Sequence, residues 1–148
     1  MAKQISVTEA FELMQQGKTY VDVRSAAEFE QSHPAGAINV PLIDYDEFSG
    51  QMEPNPDFLR VMQANFPADT ALLIGCQVGG RSMRAAQILE SFGFQDVSNV
   101  RGGFDGARDP MSGRMLDPGW ADSGLPVEAG EPEGRRYEDL LSAADQKS

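Results

Sequence analysis

Short aliphatic runs alternate with stretches of helical periodicity over the first hundred residues. Residues 19–23 (Thr-Tyr-Val-Asp-Val), 37–41 (Ala-Ile-Asn-Val-Pro), 71–74 (Ala-Leu-Leu-Ile) and 96–100 (Asp-Val-Ser-Asn-Val) have the length and β-branched content of strands. Between them lie helical patterns. Ser6-Val7-Thr8-Glu9 opens one, with Ala10, Phe11, Leu13 and Met14 on one side and Gly17 ending it. Ser25 is placed to cap a second over residues 26–31, with Glu28 completing a capping box. Asn55-Pro56-Asp57 introduces a third that runs through Asn65. A fourth spans residues 81–92, with Ala85, Ile88, Leu89 and Phe92 expected to face the core and Gly93 to end it. The run 71–74 is the most apolar strand and is predicted to be central.

Strands alternating with helices predict an α/β fold, a parallel sheet covered on both faces. Ligands of such sheets bind beyond the carboxyl ends of the strands. Cys76 falls at one such end and the Gly102-Gly103 pair at another. Residues 107–119, with two prolines, two glycines and no period, read as a surface loop with an apolar side at Met111, Met115 and Leu116. From Glu128 onward the chain reads as polar, with one weak amphipathic patch at Tyr137, Leu140 and Leu141. The expected division is therefore a domain over 1–128 and a polar tail over 129–148.

Composition narrows the function. A net charge of −11 with no basic stripe argues against a nucleic-acid partner and disfavours long-range steering of small anions. No apolar run is long enough to cross a bilayer, and the first residues lack a secretory signal, so a cytoplasmic protein is expected. One cysteine permits no internal disulfide, and one cysteine with one histidine assembles no zinc site of the usual kind. No metal or cofactor is expected. Cys76 is then either a small core residue or a reactive thiol.

Its surroundings favour the reactive thiol. A strand that ends in a cysteine, then Gln77-Val78-Gly79-Gly80, then the start of a helix brings unpartnered N–H groups around one point. Gly79 and Gly80 are expected to supply the positive-φ angles that such curling needs. Together with the helix dipole, the loop stabilises a thiolate, which is the nucleophilic form of sulfur. Gln77 and Val78 should then turn their side chains outward and set the entrance.

Cys76-Gln77-Val78-Gly79-Gly80-Arg81-Ser82 resembles the active-site loop of the rhodanese family, the thiosulfate sulfurtransferases. Val21-Asp22-Val23-Arg24, Glu28-Phe29, His33 and Gly36-Ala37-Ile38-Asn39-Val40-Pro41 resemble its first signature. Arg101-Gly102-Gly103-Phe104, Trp120 and Gly124-Leu125-Pro126-Val127 resemble its closing segment. The likeness runs from about residue 5 to 128 in the right order. It departs at His33-Pro34-Ala35-Gly36, where the family usually reads His-Ile-Pro-Gly, and at the late tryptophan, which marks 107–119 as an insertion.

The resemblance implies a three-layer α/β/α fold around a mostly parallel five-stranded sheet, in which Cys76 carries a sulfane sulfur as a persulfide. Small sulfur donors and thiol acceptors, among them an acceptor protein, are the implied partners. Gln77, Val78, Gly79, Gly80, Arg81 and Ser82 are the implied substrate-binding set, with Asp22, Arg24, Gly102 and Gly103 in support. Two readings stand for Arg81, binding the donor anion or holding the loop. Asp22, Arg24, Glu28 and His33 read as structural. Phosphatases on the same fold have five residues between cysteine and arginine and a wider cradle; four separate Cys76 from Arg81, which fits one extra sulfur better. The alternatives are a phosphatase or arsenate reductase and a non-catalytic interaction module. The insertion is either a flap on the outer helices or a rim that brings Arg108 or Arg114 over the site.

Overall fold

The computed structural model describes residues 2–147. The main elements are β1 (Lys3–Ile5), α1 (Val7–Gln15), β2 (Thr19–Asp22), α2 (Ala26–Gln31), β3 (Ile38–Asn39), α3 (Phe58–Asn65), β4 (Ala71–Gly75), α4 (Gly80–Ser91), β5 (Asp96–Val100) and α5 (Tyr137–Gln146). The five strands form one parallel sheet in the order β1-β5-β4-β2-β3. The run expected to be central, β4, is the middle strand.

Side chains alternate between the two faces, as strand geometry requires. Tyr20 and Leu73 point to a core shared with Ala10, Phe29 and Trp120, while Val21, Leu72, Ile74 and Val97 point to one shared with Phe58, Met62, Ala85 and Leu89. Helices α1 and α2 thus cover one face and α3, α4 and α5 the other. Both faces being covered, the central strand β4 reads as a continuous apolar run. Ser6 and Ser25 each cap their helix through a complete capping box with Glu9 and Glu28.

The chain leaves β2 towards β3 through α2 and leaves β4 towards β5 through α4, on opposite faces of the sheet. The crevice between β2 and β4 is therefore a topological switch point, open at the carboxyl ends of both strands. Cys76 lies at its lip.

Several expectations are corrected. The fifth strand is β1, three residues with no pattern long enough to read. Phe92 follows the last turn of α4 and is exposed rather than in the core. Residues 129–147 are not merely a tail. Helix α5 buries Leu140 and Ala144 in the core cluster that holds Val61 and Met62 of α3. Asn65 donates to the Leu140 carbonyl at 3.0 Å and Asn55 to the Tyr137 hydroxyl at 3.0 Å. The weak amphipathic patch is the buried face of this helix; the glycines and charges just before it, Gly130 to Arg136, obscured it. A ribbon of Ile43–Asp46 against Gln51–Pro54 also went unread. Among the described residues, no helix is long and apolar enough to cross a membrane.

Candidate active site

The last residue of β4 is Gly75, where no side chain fits. A side chain there would begin 1.9 Å from the Tyr20 hydroxyl, which passes beneath the strand end. Cys76 follows, 2% exposed. Its sulfur receives the Gly79 N–H at 3.1 Å and the Ser82 N–H at 3.3 Å, and lies 3.4 Å from the Ser82 hydroxyl. Donors from the loop and from the first turn of α4 thus converge on one atom, as the spacing predicts. Gly79 holds φ +112°, which admits only glycine comfortably, and caps α4. Gly80 departs from expectation: it is the first residue of the helix and does not take a positive φ. Val78 is exposed, and the Gln77 amide turns away to donate to Asp105 at 2.7 Å.

The turn after β5 is zipped onto this loop by backbone alone. Phe104 N–H donates to the Cys76 carbonyl at 2.8 Å and Asp105 N–H to the Gln77 carbonyl at 2.9 Å. Gly103, at φ +56°, makes this approach possible, since a Cβ there would lie 2.3 Å from the Cys76 carbonyl oxygen. Gly102 stands on the other side against Pro118, where a Cβ would lie 2.4 Å from its carbonyl oxygen. The Gly-Gly pair is thus the layer between the Cys76 loop and the backbone at Asp117 and Pro118.

Arg81 is engaged. Its guanidinium donates to both oxygens of Glu28, at 2.8 and 3.1 Å. Burial alone would raise the Glu28 carboxyl, but the Arg81 pair and the Ser25 hydrogen bonds outweigh it and hold it at about 2. Glu28 thus caps α2 and ties that helix to the first turn of α4. Next to it Asp22 and Arg24 form a buried forked pair, closest at 2.8 Å, and the guanidinium also donates to the Ser32 carbonyl at 2.7 Å. The same guanidinium lies 4.7 Å from the centre of the Phe104 ring. A cleft of about 230 Å³, lined by Arg24, Glu28, Gln77, Phe104 and Asp105, opens beside the loop.

His33 is buried and satisfied. One ring nitrogen meets the Phe29 carbonyl at 2.6 Å and the other Glu128 at 3.0 Å, and the ring stacks on Phe29. Glu128 also pairs with Arg135 and accepts from Gly36 N–H, and the Arg135 pair leads in holding its carboxyl at about 2. Among the described residues no cluster of side chains could hold a metal ion.

Residues 107–119, expected as an inserted loop, contain a two-stranded ribbon, Ala107–Arg108 against Met115–Asp117. Its tip is self-contained. The Asp109 carboxylate accepts from Met111 N–H, and the Arg108 guanidinium folds back onto the Gly113 carbonyl at 3.1 Å. Met111 and Leu116, expected on an apolar side, are exposed. Trp120 closes the segment in the core, edge-on to Phe11 and Tyr20, with its indole N–H on the Pro126 carbonyl at 2.7 Å.

Sequence reasoning missed Asp105 and Asn99. Asp105 sits two residues beyond the Gly-Gly pair with nothing to mark it. Asn99 carried a readable signal, a polar residue inside a strand whose neighbours Val97 and Val100 are buried. Its side chain accepts the Ser82 hydroxyl at 2.6 Å.

The Rhodanese-like domain family model matches residues 6–109. Thiosulfate sulfurtransferase 16, chloroplastic, of Arabidopsis thaliana is 38% identical over 125 residues, which cover 84% of this chain and 92% of that protein. The senescence-associated protein DIN1 of Raphanus sativus is 36% identical over 124 residues, 84% of this chain but 60% of that longer protein. Among solved structures, Rv0390 from M. tuberculosis aligns with a TM-score of 0.70 at 27% identity, covering 87% of this chain and 98% of that one. On the loop geometry, the family match and these likenesses together, the chain belongs to the rhodanese-like domain family.

Proposed function

We propose that the protein is a sulfurtransferase that accepts a sulfane sulfur on Cys76 and passes it to an external thiol. The convergence of the Gly79 and Ser82 N–H groups on the Cys76 sulfur carries this reading. Such donors stabilise negative charge on a sulfur without help from a histidine. In the first half-reaction the Cys76 thiolate attacks the outer sulfur of thiosulfate or of a persulfide. The donor S–S bond breaks, and sulfite or a thiolate leaves with the electron pair. The terminal sulfur of the Cys76 persulfide then carries the charge inside the cradle. In the second half-reaction an acceptor thiolate, or cyanide, attacks that outer sulfur and Cys76 leaves as thiolate. With one cysteine in the sequence, the acceptor comes from another molecule.

The pairing of Arg81 with Glu28 supports its reading as the residue that holds the loop rather than one that binds the donor. Gln77 and Val78 face outward and set the entrance. Asp22 and Arg24 brace the wall opposite, with Phe104 held against the guanidinium. The four-residue spacing between Cys76 and Arg81 favours sulfur over phosphate or arsenate chemistry, and retention of the cysteine in its cradle favours an enzyme over a binding module.

The test is thiosulfate:cyanide and thiosulfate:thiol sulfur transfer by wild type and Cys76→Ser. Wild type should turn over and gain one sulfur on the Cys76 peptide, seen by mass spectrometry. The serine variant should fold and do neither. Turnover that survives the substitution overturns the assignment.

A further inference from the structure

The buried polar chain behind Cys76 has a direction. Ser82 and Asn99 are 0% and 2% exposed, and a hydroxyl has only one proton to give. Two acceptors lie within reach of it, Asn99 Oδ1 at 2.6 Å and the Gly79 carbonyl at 3.1 Å; the Cys76 sulfur, at 3.4 Å, donates to the hydroxyl oxygen as a thiol and competes for the proton as a thiolate. The shortest contact is the one with Asn99, well inside the usual O–H···O range. The Asn99 amide is itself oriented from the far side. Its Nδ2 donates to Gln4 Oε1 at 2.9 Å, and Gln4 Nε2 donates to the Met83 sulfur at 3.3 Å. Gln4 stands opposite Asn99 in the β1–β5 register, so the strand pairing holds this arrangement. With its NH₂ committed to Gln4, Asn99 presents only an acceptor to Ser82.

We infer that Asn99 is a positioning residue for Cys76, acting through Ser82: it draws the hydroxyl proton away from the sulfur and so withholds one donor from the thiolate. A neutral thiol is well served by this arrangement, because its S–H can donate to the Ser82 oxygen. A persulfide is also served, since its charge sits on the outer sulfur. Only the free thiolate goes short of a hydrogen bond. Nucleophilicity rises as such stabilisation is removed, so Asn99 trades thiolate population for reactivity. The catalytic meaning of this trade rests on the sulfur-transfer reading above; the proton placement does not.

The experiment is therefore alkylation of Cys76 by iodoacetamide across pH, which needs no sulfur donor. The charged and titratable groups around the sulfur are Asp22 at the end of β2, Arg24 just after it, Tyr20 of β2, Glu28 from α2, Arg81 of α4 and Asp105 in the adjoining turn. All stay in place in the variants. In Asn99→Ala the freed hydroxyl turns to the charged sulfur, the better acceptor than the Gly79 carbonyl. Alkylation near pH 6 should rise about fivefold, and the plateau at high pH should fall about three- to fourfold. Gln4→Ala, an exposed change that frees the Asn99 amide and otherwise removes only the contact with the Met83 sulfur, should shift both limbs the same way by less, and it keeps the test open if Asn99→Ala folds poorly. In a Ser82→Ala background the Asn99 substitution should leave the profile unmoved, since the intermediary is gone. A profile in Asn99→Ala and Gln4→Ala that matches wild type overturns the inference. So does an Asn99 effect that persists without the Ser82 hydroxyl. Loss of sulfur transfer in wild type, with these shifts intact, would count against the proposed reaction alone.

Discussion

Replacing Gly103 by alanine tests whether the turn after β5 holds the Cys76 loop. The new Cβ would stand 2.3 Å from the Cys76 carbonyl oxygen, 2.8 Å from that of Gln77 and 2.9 Å from the Cys76 carbonyl carbon. An ordinary C···O contact is about 3.3 Å, so one backbone must retreat by about 1 Å. Neither is free to do so, because the two carbonyls accept the Phe104 and Asp105 N–H groups. The left-handed angle at φ +56° costs an alanine about 1 kcal/mol, and a broken or stretched backbone bond costs about 1–2 more. The sum, about 2–3 kcal/mol, lowers Tm by about 4–12 °C for a chain of this length. A displacement of about 1 Å at the nucleophile should also cut sulfur transfer about 100-fold. Gly80→Ala is the control, since it is helical and a Cβ there meets nothing within 4 Å. It should be neutral or slightly stabilising. Thermal unfolding and a thiosulfate:cyanide assay read both variants. If Gly103→Ala melts within about 2 °C of wild type and transfers sulfur at its rate, the zipped-loop argument is wrong.

Three further outcomes are expected. Glu28→Gln removes the Arg81 pair and should cost about 1 kcal/mol at neutral pH, the pair being partly solvated. Because the folded Glu28 carboxyl lies at about 2 against an ordinary 4.5, its contribution is full above about 4.5 and fades as pH falls towards 2. The melting curves of wild type and variant should therefore converge on acidification; a gap that stays constant to pH 2 contradicts the pairing. Truncation after Glu128 removes Leu140 and Ala144 from the core and uncovers α3, which should cost about 3 kcal/mol or more by denaturant titration. An unchanged midpoint would restore the reading of residues 129–147 as a mere tail. Replacing the ribbon tip, residues 109–114, with a short Gly-Ser link should change stability by less than about 0.5 kcal/mol, because Met111 is exposed and the Asp109 turn bonds only within itself. A larger loss would mean that the ribbon is a packed flap.

Much of the site could be read before folding because its parts are consecutive. Cys76, Gly79 and Ser82 meet through local geometry: a strand end, a left-handed glycine and the first turn of a helix bring N–H groups to the sulfur whatever surrounds them. The outward turn of Gln77 and Val78 follows from the same constraint. The capping boxes at Ser6 and Ser25 are local in the same way. Reading both loop glycines as positive-φ was half right, because only the residue before the helix needs that angle and Gly80 already belongs to the helix.

The amino-acid sequence by itself determined the alternation of strands and helices, the central place of residues 71–74 and the cysteine loop at a carboxyl end. Each rests on contacts within a few residues or on one uniform rule of burial. Only the tertiary structure decided what crosses between elements. It paired Arg81 with Glu28, 53 residues away, a contact that supports the bracing reading over anion binding. It brought Asn99 behind Ser82, set Asp105 at the mouth, and laid α5 against α3. Those contacts depend on strand order and register. In a parallel sheet these are chosen by the packing of both faces at once rather than by any local pattern.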